Sequence, residues 1–369
     1  MPDYSTTKSK LQVVVLPDST GKPTEYHVDP DTGEPREPLR DPKFPWTMRK
    51  RRTMGLADCY RAGGDDKRAD RSVSCSTWLE YLVDGDARQL NHFNACKQRL
   101  CPLCSARRAK ILAARLTKVL ARVAAEHPGT QLIFLTLTVA NVPGDKLRET
   151  LDLLTEAWHK LMRRRPVDRA AKGTFRAIEI TRNREKDEYH PHIHAILVVE
   201  DAYFKQSSGL YLAHDKWVDM WQQSLKVAYR PSVDIRSTYA KGKRGRPSKA
   251  ARAAQAAAIE AAKYATKDSD FLAAGLPLDE AAQVVKTYTE ALAYKRMIGM
   301  SGWIKDAAAA LKLEMEDVQD LVHDDDGAGQ LTPETAALLE EYGWHFGMEE
   351  HVLTSRRPNP DYKGSSGRA

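Results

Sequence analysis

Apolar and β-branched residues are concentrated in three stretches in the middle of the chain, and each has the pattern of a strand. Residues 131–139 form an apolar run that ends near a Pro-Gly turn, which favours a central, largely buried strand. Residues 174–181 and 190–199 flank the polar segment 182–188, and this arrangement predicts a β-hairpin. Residues 145–162, between the 131–139 strand and this hairpin, predict an amphipathic helix. Its one apolar stripe is formed by Leu147, Leu151, Leu154, Trp158 and Leu161.

Helical and strand patterns on either side complete the predicted fold class. Residues 106–125 carry apolar positions at helical spacing after a basic opening, and residues 249–267 are Ala-rich without Gly or Pro, so both segments predict helices. Residues 74–82 alternate as a strand does. Together these elements predict an α+β protein whose antiparallel sheet is flanked by helices.

The two ends of the chain differ from its middle in composition. Residues 1–70 are rich in Pro, Asp, Lys and Arg, which predicts a basic and partly disordered arm. Residues 306–369 carry 5 Lys/Arg against 14 Asp/Glu, and we expect an acidic, solvated helical extension there. Between them, residues 71–110 are interpreted as a metal module and residues 111–305 as the main domain.

The net charge is positive overall but unevenly distributed. The chain of 369 residues has a net charge of +7 and a pI near 9.0, and the acidic C-terminal segment leaves a more basic body. A basic body indicates a polyanionic partner such as nucleic acid. Apolar runs long enough to cross a membrane and a secretory signal pattern are both missing from the sequence, so a cytoplasmic protein is expected.

Three of the five cysteines have the spacing of metal ligands. Cys96, Cys101 and Cys104 lie within nine residues, and a structural zinc ion takes four Cys or His ligands. Cys75, which opens the alternating stretch, is the preferred fourth ligand, and Cys59 and His92 are alternatives. The sequence therefore predicts a structural Zn²⁺ site.

Histidines recur at every second position before the last apolar run. In a strand His192 and His194 point to the same face, so their imidazoles form half of a divalent metal site. Glu179, on the other strand of the predicted hairpin, is a candidate third ligand. A register slip of one residue would turn its carboxylate to the opposite face.

A third group of chemically active side chains lies on the Ala-rich helix. Glu260 and Tyr264 are four residues apart and share a face, with Lys263 and Lys267 nearby. Taken alone, this pattern fits a core tyrosine with an incidental glutamate better than a catalytic pair.

Several basic side chains are candidates for DNA contact. The loop of residues 241–249 contains Arg244-Gly245-Arg246-Pro247, which is similar to a minor-groove AT-hook, although a non-specific basic loop fits equally well. Arg107 and Arg108 at the opening of the 106–125 helix, and Lys263, are further candidates.

These motifs together resemble the rolling-circle plasmid replication initiators of the HUH endonuclease superfamily, in particular the single-tyrosine plasmid Rep branch. The similarity covers about residues 73–305. The segments that match the family are Phe134-Leu135-Thr136-Leu137-Thr138-Val139-Ala140-Asn141-Val142, His190-Pro191-His192-Ile193-His194, the cysteine segment 96–104, the late segment 291–296, and Glu260 with Lys263, Tyr264 and Lys267.

The resemblance implies a ferredoxin-like nickase core and a mechanism. Tyr264 would attack a phosphate at the plasmid origin, and Mg²⁺ or Mn²⁺ held by His192, His194 and Glu179 would polarise that phosphate. Glu260 would activate water at termination, and Lys267 would hold the phosphate or the phenolate. Origin DNA and the host polymerase and helicase are the implied partners, and a homodimer is left open.

Three other functions fit parts of the pattern. A histidine triad hydrolase would use the same histidines, but it leaves Tyr264 and the cysteines unexplained. A non-enzymatic, zinc-containing DNA-binding regulator explains the charge and the cysteines but leaves the paired histidines without a role. A relaxase or a single-tyrosine transposase shares the nicking chemistry of an initiator.

Overall fold

The computed structural model describes residues 11–17, 21–237, 268–315, 318–322 and 331–363. It is a mixed structure of helices and antiparallel sheets, as the sequence predicts. The chain divides into two compact units, of which the first is Met1–Arg107 with Phe271–Lys286 and Asp320–Ala369, and the second is Arg108–Asp270 with Thr287–Gln319. Within the described ranges, no helix has the length and apolar character needed to cross a bilayer.

The first unit contains two sheets and two helices near its N-terminus. One sheet has three strands in the order β1-β2-β3, and the other has four strands in the order β13-β12-β4-β5. The elements are β1 (Val13–Pro17), β2 (Pro23–Val28), β3 (Pro35–Arg36), α1 (Trp46–Ala62), α2 (Asp66–Ser74), β4 (Trp78–Asp84), β5 (Ala87–Phe93), β12 (Leu338–His345) and β13 (Glu350–Pro358).

The predicted disordered arm is wrong for the residues from 46 onward. Helices α1 and α2 occupy most of residues 46–74, and the Trp46 side chain at the start of α1 is 2% exposed. Lys50 is completely buried and its ammonium donates a hydrogen bond to the Cys75 carbonyl over 2.7 Å. The polar composition hid this packing because long basic side chains can bury their stems while their charged ends find carbonyl partners.

The predicted helical C-terminal extension is also wrong. Strands β12 and β13 pair with each other, and β12 pairs with β4, so the acidic segment completes a sheet begun near residue 78. Its charges are compensated there: Glu340 is 3% exposed and its carboxylate accepts hydrogen bonds from Arg88 and Arg356. The excess of acidic residues in this segment is therefore compatible with a folded sheet, because buried carboxylates such as Glu340 pair with arginines.

The second unit is built on a six-stranded antiparallel sheet. The strand order is β10-β6-β9-β8-β11, with the short β7 also paired to β9. The strands are β6 (Thr130–Thr138), β7 (Val142–Pro143), β8 (Ala171–Asn183), β9 (Glu188–Glu200), β10 (Val233–Ser237) and β11 (Ile298–Ser301). The helices along this part of the chain are α3 (Pro102–Glu126), α4 (Leu147–Met162), α5 (Arg165–Ala170), α6 (His214–Leu225), α7 (Leu278–Leu292) and α8 (Gly302–Ala310).

The central hairpin has the predicted elements, and its register is now defined. Glu179 on β8 lies directly opposite His192 on β9, and Thr136 on β6 lies opposite His194. Pro191 pairs with Ile180 of β8 on one side. On its other side it has no partner among the described strands, because the pairing of β9 with β6 ends at His192 and the pairing with β7 involves Tyr189. Pro191 is tolerated within β9 for this reason. A proline lacks the N–H that a fully paired position requires.

One apolar cluster fixes the face of the sheet that carries the histidines. Further along the same face, Ile196 and Val198 of β9 pack with Phe175 of β8 and with apolar side chains of α3 and α8. Burial of these side chains makes a one-residue slip costly, because it would expose the whole apolar set. The core therefore holds the register that positions Glu179 beside the histidines.

Candidate functional site

Three side chains meet at one end of the β8–β9 hairpin. His194 Nε2 lies 3.1 Å from His192 Nε2 and 3.0 Å from Glu179 Oε2, and His192 Nε2 lies 3.5 Å from the same carboxylate oxygen. We call Glu179, His192 and His194 the histidine cluster. The structure thus brings together all three side chains that the sequence singled out as metal ligands, and they form a group that can bind a metal ion.

The spacing of these atoms fits a single cation. Two ligands of one ion, each about 2.1 Å from it, lie about 3 Å apart when the angle at the ion is near 90°. The carboxylate is 4% exposed, so a cation would also compensate a charge that has little access to water. The donor set of two imidazoles and one carboxylate suits divalent ions that accept mixed nitrogen and oxygen ligands.

The imidazoles of His192 and His194 are each held in orientation by a contact at Nδ1, the ring nitrogen that points away from the cluster. His192 Nδ1 lies 3.1 Å from the His190 carbonyl oxygen, and His194 Nδ1 lies 3.3 Å from Thr136 Oγ1. A proton on each Nδ1 satisfies these oxygens and leaves the Nε2 lone pairs directed into the cluster. His190 itself is half-buried, and its pKa is lowered by burial and by the neighbouring His192. The two contacts at Nδ1 therefore orient the cluster histidines with their Nε2 atoms towards Glu179.

The second group consists of four buried cysteines in the first unit. Cys75 Sγ lies 3.8 Å from Cys101 Sγ and 3.6 Å from Cys104 Sγ, and Cys96 Sγ lies 3.7 Å from Cys104 Sγ. Four sulfurs about 2.3 Å from a tetrahedral zinc ion lie about 3.8 Å apart. The geometry of these thiols therefore fits a four-cysteine zinc site, which we call the cysteine cluster.

Backbone and side-chain donors surround the cysteine cluster. The Cys96 amide donates to Cys75 Sγ over 3.4 Å, and the Cys104 amide donates to Cys101 Sγ over 3.5 Å. The buried Lys50 lies close by, and burial lowers its pKa to about 8 although the nearby cysteine sulfurs oppose this shift. Amide donors and a nearby cation both stabilise thiolates, so the surroundings suit a metal-bound sulfur set.

Neither alternative fourth ligand lies with the other three cysteines. Cys59 is buried within α1, where burial raises the pKa of its thiol to about 12, so it is an inert core side chain. His92 is exposed on β5. The described side chains that could hold a metal in this region form one group, which contains Cys75.

Arg107 does not have the exposed position expected of a DNA contact, and this expectation is corrected. Its guanidinium is 2% exposed and donates to the carbonyls of Leu321 (2.8 Å) and Val322 (2.7 Å), with the Phe44 ring 5.4 Å from its central carbon. Arg108 is also buried, with 6% exposure. Their position at a basic helix opening suggested the surface, but both side chains are buried.

The third predicted group lies outside the described residues. Glu260, Lys263, Tyr264 and Lys267, and with them Arg244 and Arg246, all fall within residues 238–267. Their roles therefore stay predictions.

Comparison with known proteins decides the family. A family model described as Replication protein matches residues 87–351, which is most of the chain. The chain belongs to this family of plasmid replication initiators.

Several relatives are similar over most of their length. "Protein rep" of Streptococcus pneumoniae is 34% identical over 294 residues, covering 79% of this chain and 87% of that protein. "Protein rep" of Lactiplantibacillus plantarum is 35% identical over 313 residues, covering 84% of this chain and 95% of that protein. "Protein rep" of Bacillus amyloliquefaciens is 32% identical over 328 residues, covering 84% and 94%. No solved structure matches the chain.

The geometry of this replication initiator adds residues that the sequence did not single out. Thr136 was part of a family-like motif, but its contact with His194 becomes visible only in the β6–β9 pairing. Tyr288 donates a 2.8 Å hydrogen bond to Asp270, and its ring packs edge-on against Tyr189, the residue before His190. The sequence signal for Tyr288 was only its position in an amphipathic helix.

Proposed function

We propose that this chain is a metal-dependent, site-specific DNA endonuclease of the HUH superfamily that starts rolling-circle replication of a plasmid. The observation that carries the proposal is the histidine cluster, found in a chain that belongs to the replication initiator family. Two Nε2 atoms and a buried carboxylate oxygen lie within 3.5 Å of one another at the end of a central hairpin, which is the donor set and spacing that a divalent cation requires. Membership of the family supplies the substrate, which is plasmid origin DNA.

The described residues would hold and orient the cation. Glu179, His192 and His194 bind it, while Thr136 and the His190 carbonyl fix the two imidazole rings. Mg²⁺ or Mn²⁺ bound there supplies charge stabilisation for the phosphate under attack. His190, one step further out on the same face of β9, would orient the substrate strand.

Tyr264 is the proposed nucleophile. Its phenolic oxygen forms a bond to the scissile phosphorus while the bond to the 3′-oxygen breaks, and that oxygen leaves as a 3′-hydroxyl that the host polymerase extends. The protein stays linked to the 5′-phosphate through the tyrosine. Lys267 would hold the phosphate, and Glu260 would later remove a proton from water so that hydrolysis releases the protein. Strand transfer to a 3′-hydroxyl is the other route to termination.

Binding of the origin would rest on basic segments and on the cysteine cluster. Arg244 and Arg246 are the proposed minor-groove contacts, and Lys263 would contact the phosphate backbone. A zinc ion in the cysteine cluster would hold the fold of the first unit rather than take part in the reaction, because its four sulfur ligands leave no open position. A host helicase is the expected further partner.

A nicking assay tests the proposal. The purified protein is incubated with a supercoiled plasmid that carries its origin, with Mn²⁺ added, and compared with Tyr264→Phe, Glu260→Ala and the control Tyr211→Phe. Tyr211 is an exposed tyrosine whose sequence position is outside the motifs, so its variant should nick as the wild type does. The Tyr264 variant should give no nicking and no protein on the 5′ end, and the Glu260 variant should nick but remain attached.

Three outcomes would redirect the assignment. Binding without nicking by the wild type would favour the non-enzymatic regulator, and nicking retained in Tyr264→Phe would exclude that tyrosine as nucleophile. Joining of the cut strand to a second DNA molecule, without support of replication from the origin, would favour a relaxase or a transposase.

A further inference from the structure

Tyr294 is a fully exposed aromatic residue at the end of α7. Its side chain is 100% exposed, and its φ is +63°, in the left-handed region. It lies two residues after the last residue of α7, where helices commonly end on a glycine because a Cβ is disfavoured there. A tyrosine at this position is less favourable for the backbone than a glycine, and its exposed ring gains nothing from burial. Unfavourable positions of this kind concentrate at functional sites.

The turn that carries Tyr294 is held in place by its neighbours. The Arg148 guanidinium donates to the carbonyls of Glu290 (2.7 Å) and Ala293 (3.2 Å) at the end of the helix. The Lys295 amide donates to the Leu292 carbonyl over 3.2 Å, and the Lys295 ammonium pairs with Asp152. The backbone around Tyr294 is therefore fixed, and its ring is presented to solvent from a rigid support.

This turn lies beside the histidine cluster. The Ile178 amide donates to the Met297 carbonyl over 2.8 Å, and the β8–β11 pairing begins with Ile298 opposite Ala177, two residues before Glu179 on β8. Consecutive Cα atoms are about 3.8 Å apart, so the Tyr294 backbone lies within about 12 Å of Met297, whose carbonyl binds the residue before Glu179. Arg296, between these two positions, is exposed and positively charged.

We propose that the Tyr294 ring stacks on an unpaired base of the DNA strand that the histidine cluster addresses, about two nucleotides from the bound phosphate. This inference rests on the proposed function, because it takes the strand at the histidine cluster to be single-stranded DNA. An exposed aromatic ring on a rigid turn beside a cation is the arrangement that binds unpaired bases without sequence preference. Arg296 contacts the backbone of the same strand.

Equilibrium binding of a fluorescent single-stranded oligothymidylate, without added Mg²⁺ or Mn²⁺, tests the stacking. Loss of one base–aromatic stack weakens binding about tenfold, so Tyr294→Ala should raise Kd by about that factor. Tyr294→Trp keeps an aromatic ring, so its Kd should stay close to that of the wild type. Tyr211→Ala is the matched control, since Tyr211 is also an exposed tyrosine of the second unit. An otherwise identical oligonucleotide of abasic sites should bind the wild type and Tyr294→Ala equally weakly.

A glycine substitution separates the binding role from a structural one. Because glycine tolerates the left-handed conformation, Tyr294→Gly should raise Tm by about 2 °C. The same variant should lose oligothymidylate binding as Tyr294→Ala does. A tyrosine kept for stability alone would give the opposite result, with a lower Tm and unchanged binding.

The inference is overturned if Tyr294→Ala and Tyr294→Gly bind oligothymidylate as the wild type does, which would leave a protein partner as the occupant of the ring. It is equally overturned if Tyr211→Ala loses as much affinity, or if the wild type does not distinguish the abasic strand. Plasmid nicking that disappears in Tyr264→Phe would still support the proposed function in each of these cases. The two proposals can therefore fail independently.

Discussion

Acidification should destabilise the first unit through one buried histidine. His351 on β13 is completely buried, with Nε2 2.7 Å from the Ser76 carbonyl oxygen and Nδ1 3.3 Å from Thr47 Oγ1. Burial lowers its pKa from 6.5 to about 4, and the nearby Lys50 adds to this shift. The folded protein therefore keeps the imidazole neutral over a pH range in which the unfolded chain protonates it.

The sign and the size follow from proton linkage. Between pH 6.5 and pH 4 the unfolded chain binds more protons at this site, so the free energy of unfolding falls as the pH falls through that window and is unaffected above it. A difference of 2.5 pKa units, from 6.5 to about 4, corresponds to about 3 kcal/mol at 1.36 kcal/mol per unit. This is a sizeable part of the stability of an ordinary domain, which is roughly 5–15 kcal/mol.

Urea unfolding followed by tryptophan fluorescence at several pH values measures the effect, with His351→Gln as the matched variant. Glutamine can still donate to the Ser76 carbonyl but does not titrate. The wild type should lose about 3 kcal/mol more than the variant on going from pH 6.5 to pH 4. The zinc concentration is kept the same for both proteins, so that acid release of zinc from the cysteine cluster cancels in the comparison.

Parallel pH profiles for the two proteins would refute the reasoning, because they would mean that His351 can be protonated in the folded state at little cost. A larger loss in the variant would also refute it. A difference that develops above pH 6.5 would point to another titrating group.

Three further predictions concern the metal groups and the core beside them. Cys75→Ser should lower the zinc content measured by atomic absorption, whereas Cys59→Ser should retain it, and equal zinc in both would contradict the assignment of Cys75. His194→Ala should reduce Mn²⁺-dependent nicking by about 100-fold or more at unchanged origin affinity in a gel-shift assay, because loss of a residue that only orients a metal ligand already costs about 10–100-fold. An unchanged rate of Mn²⁺-dependent nicking would count against the site. Tyr288→Phe should lower the free energy of unfolding by about 1–3 kcal/mol because it removes a donor from the buried Asp270 carboxylate, and urea denaturation that gives equal midpoints would show that Asp270 finds another partner.

Local patterns were sufficient to predict the central strands of the second unit and two of the helices. Periodicity over a few neighbouring residues predicts the β6, β8 and β9 strands and the α3 and α4 helices. It also predicts that His192 and His194 lie on the same face of one strand. A strand repeats every two residues and a helix every 3.6, so such features depend on nearby sequence. The Cys96–Cys104 spacing is local in the same sense.

Contacts between distant segments were decided only by the tertiary structure. Glu179 reaches the histidine cluster because the buried core fixes the hairpin register, and Cys75 joins three cysteines that lie more than twenty residues away along the chain. The same holds for the acidic C-terminal segment, which folds as strands because Arg88 and Arg356 neutralise Glu340. Composition counts charges but does not say which partners they meet, whereas burial and pairing depend on the whole fold.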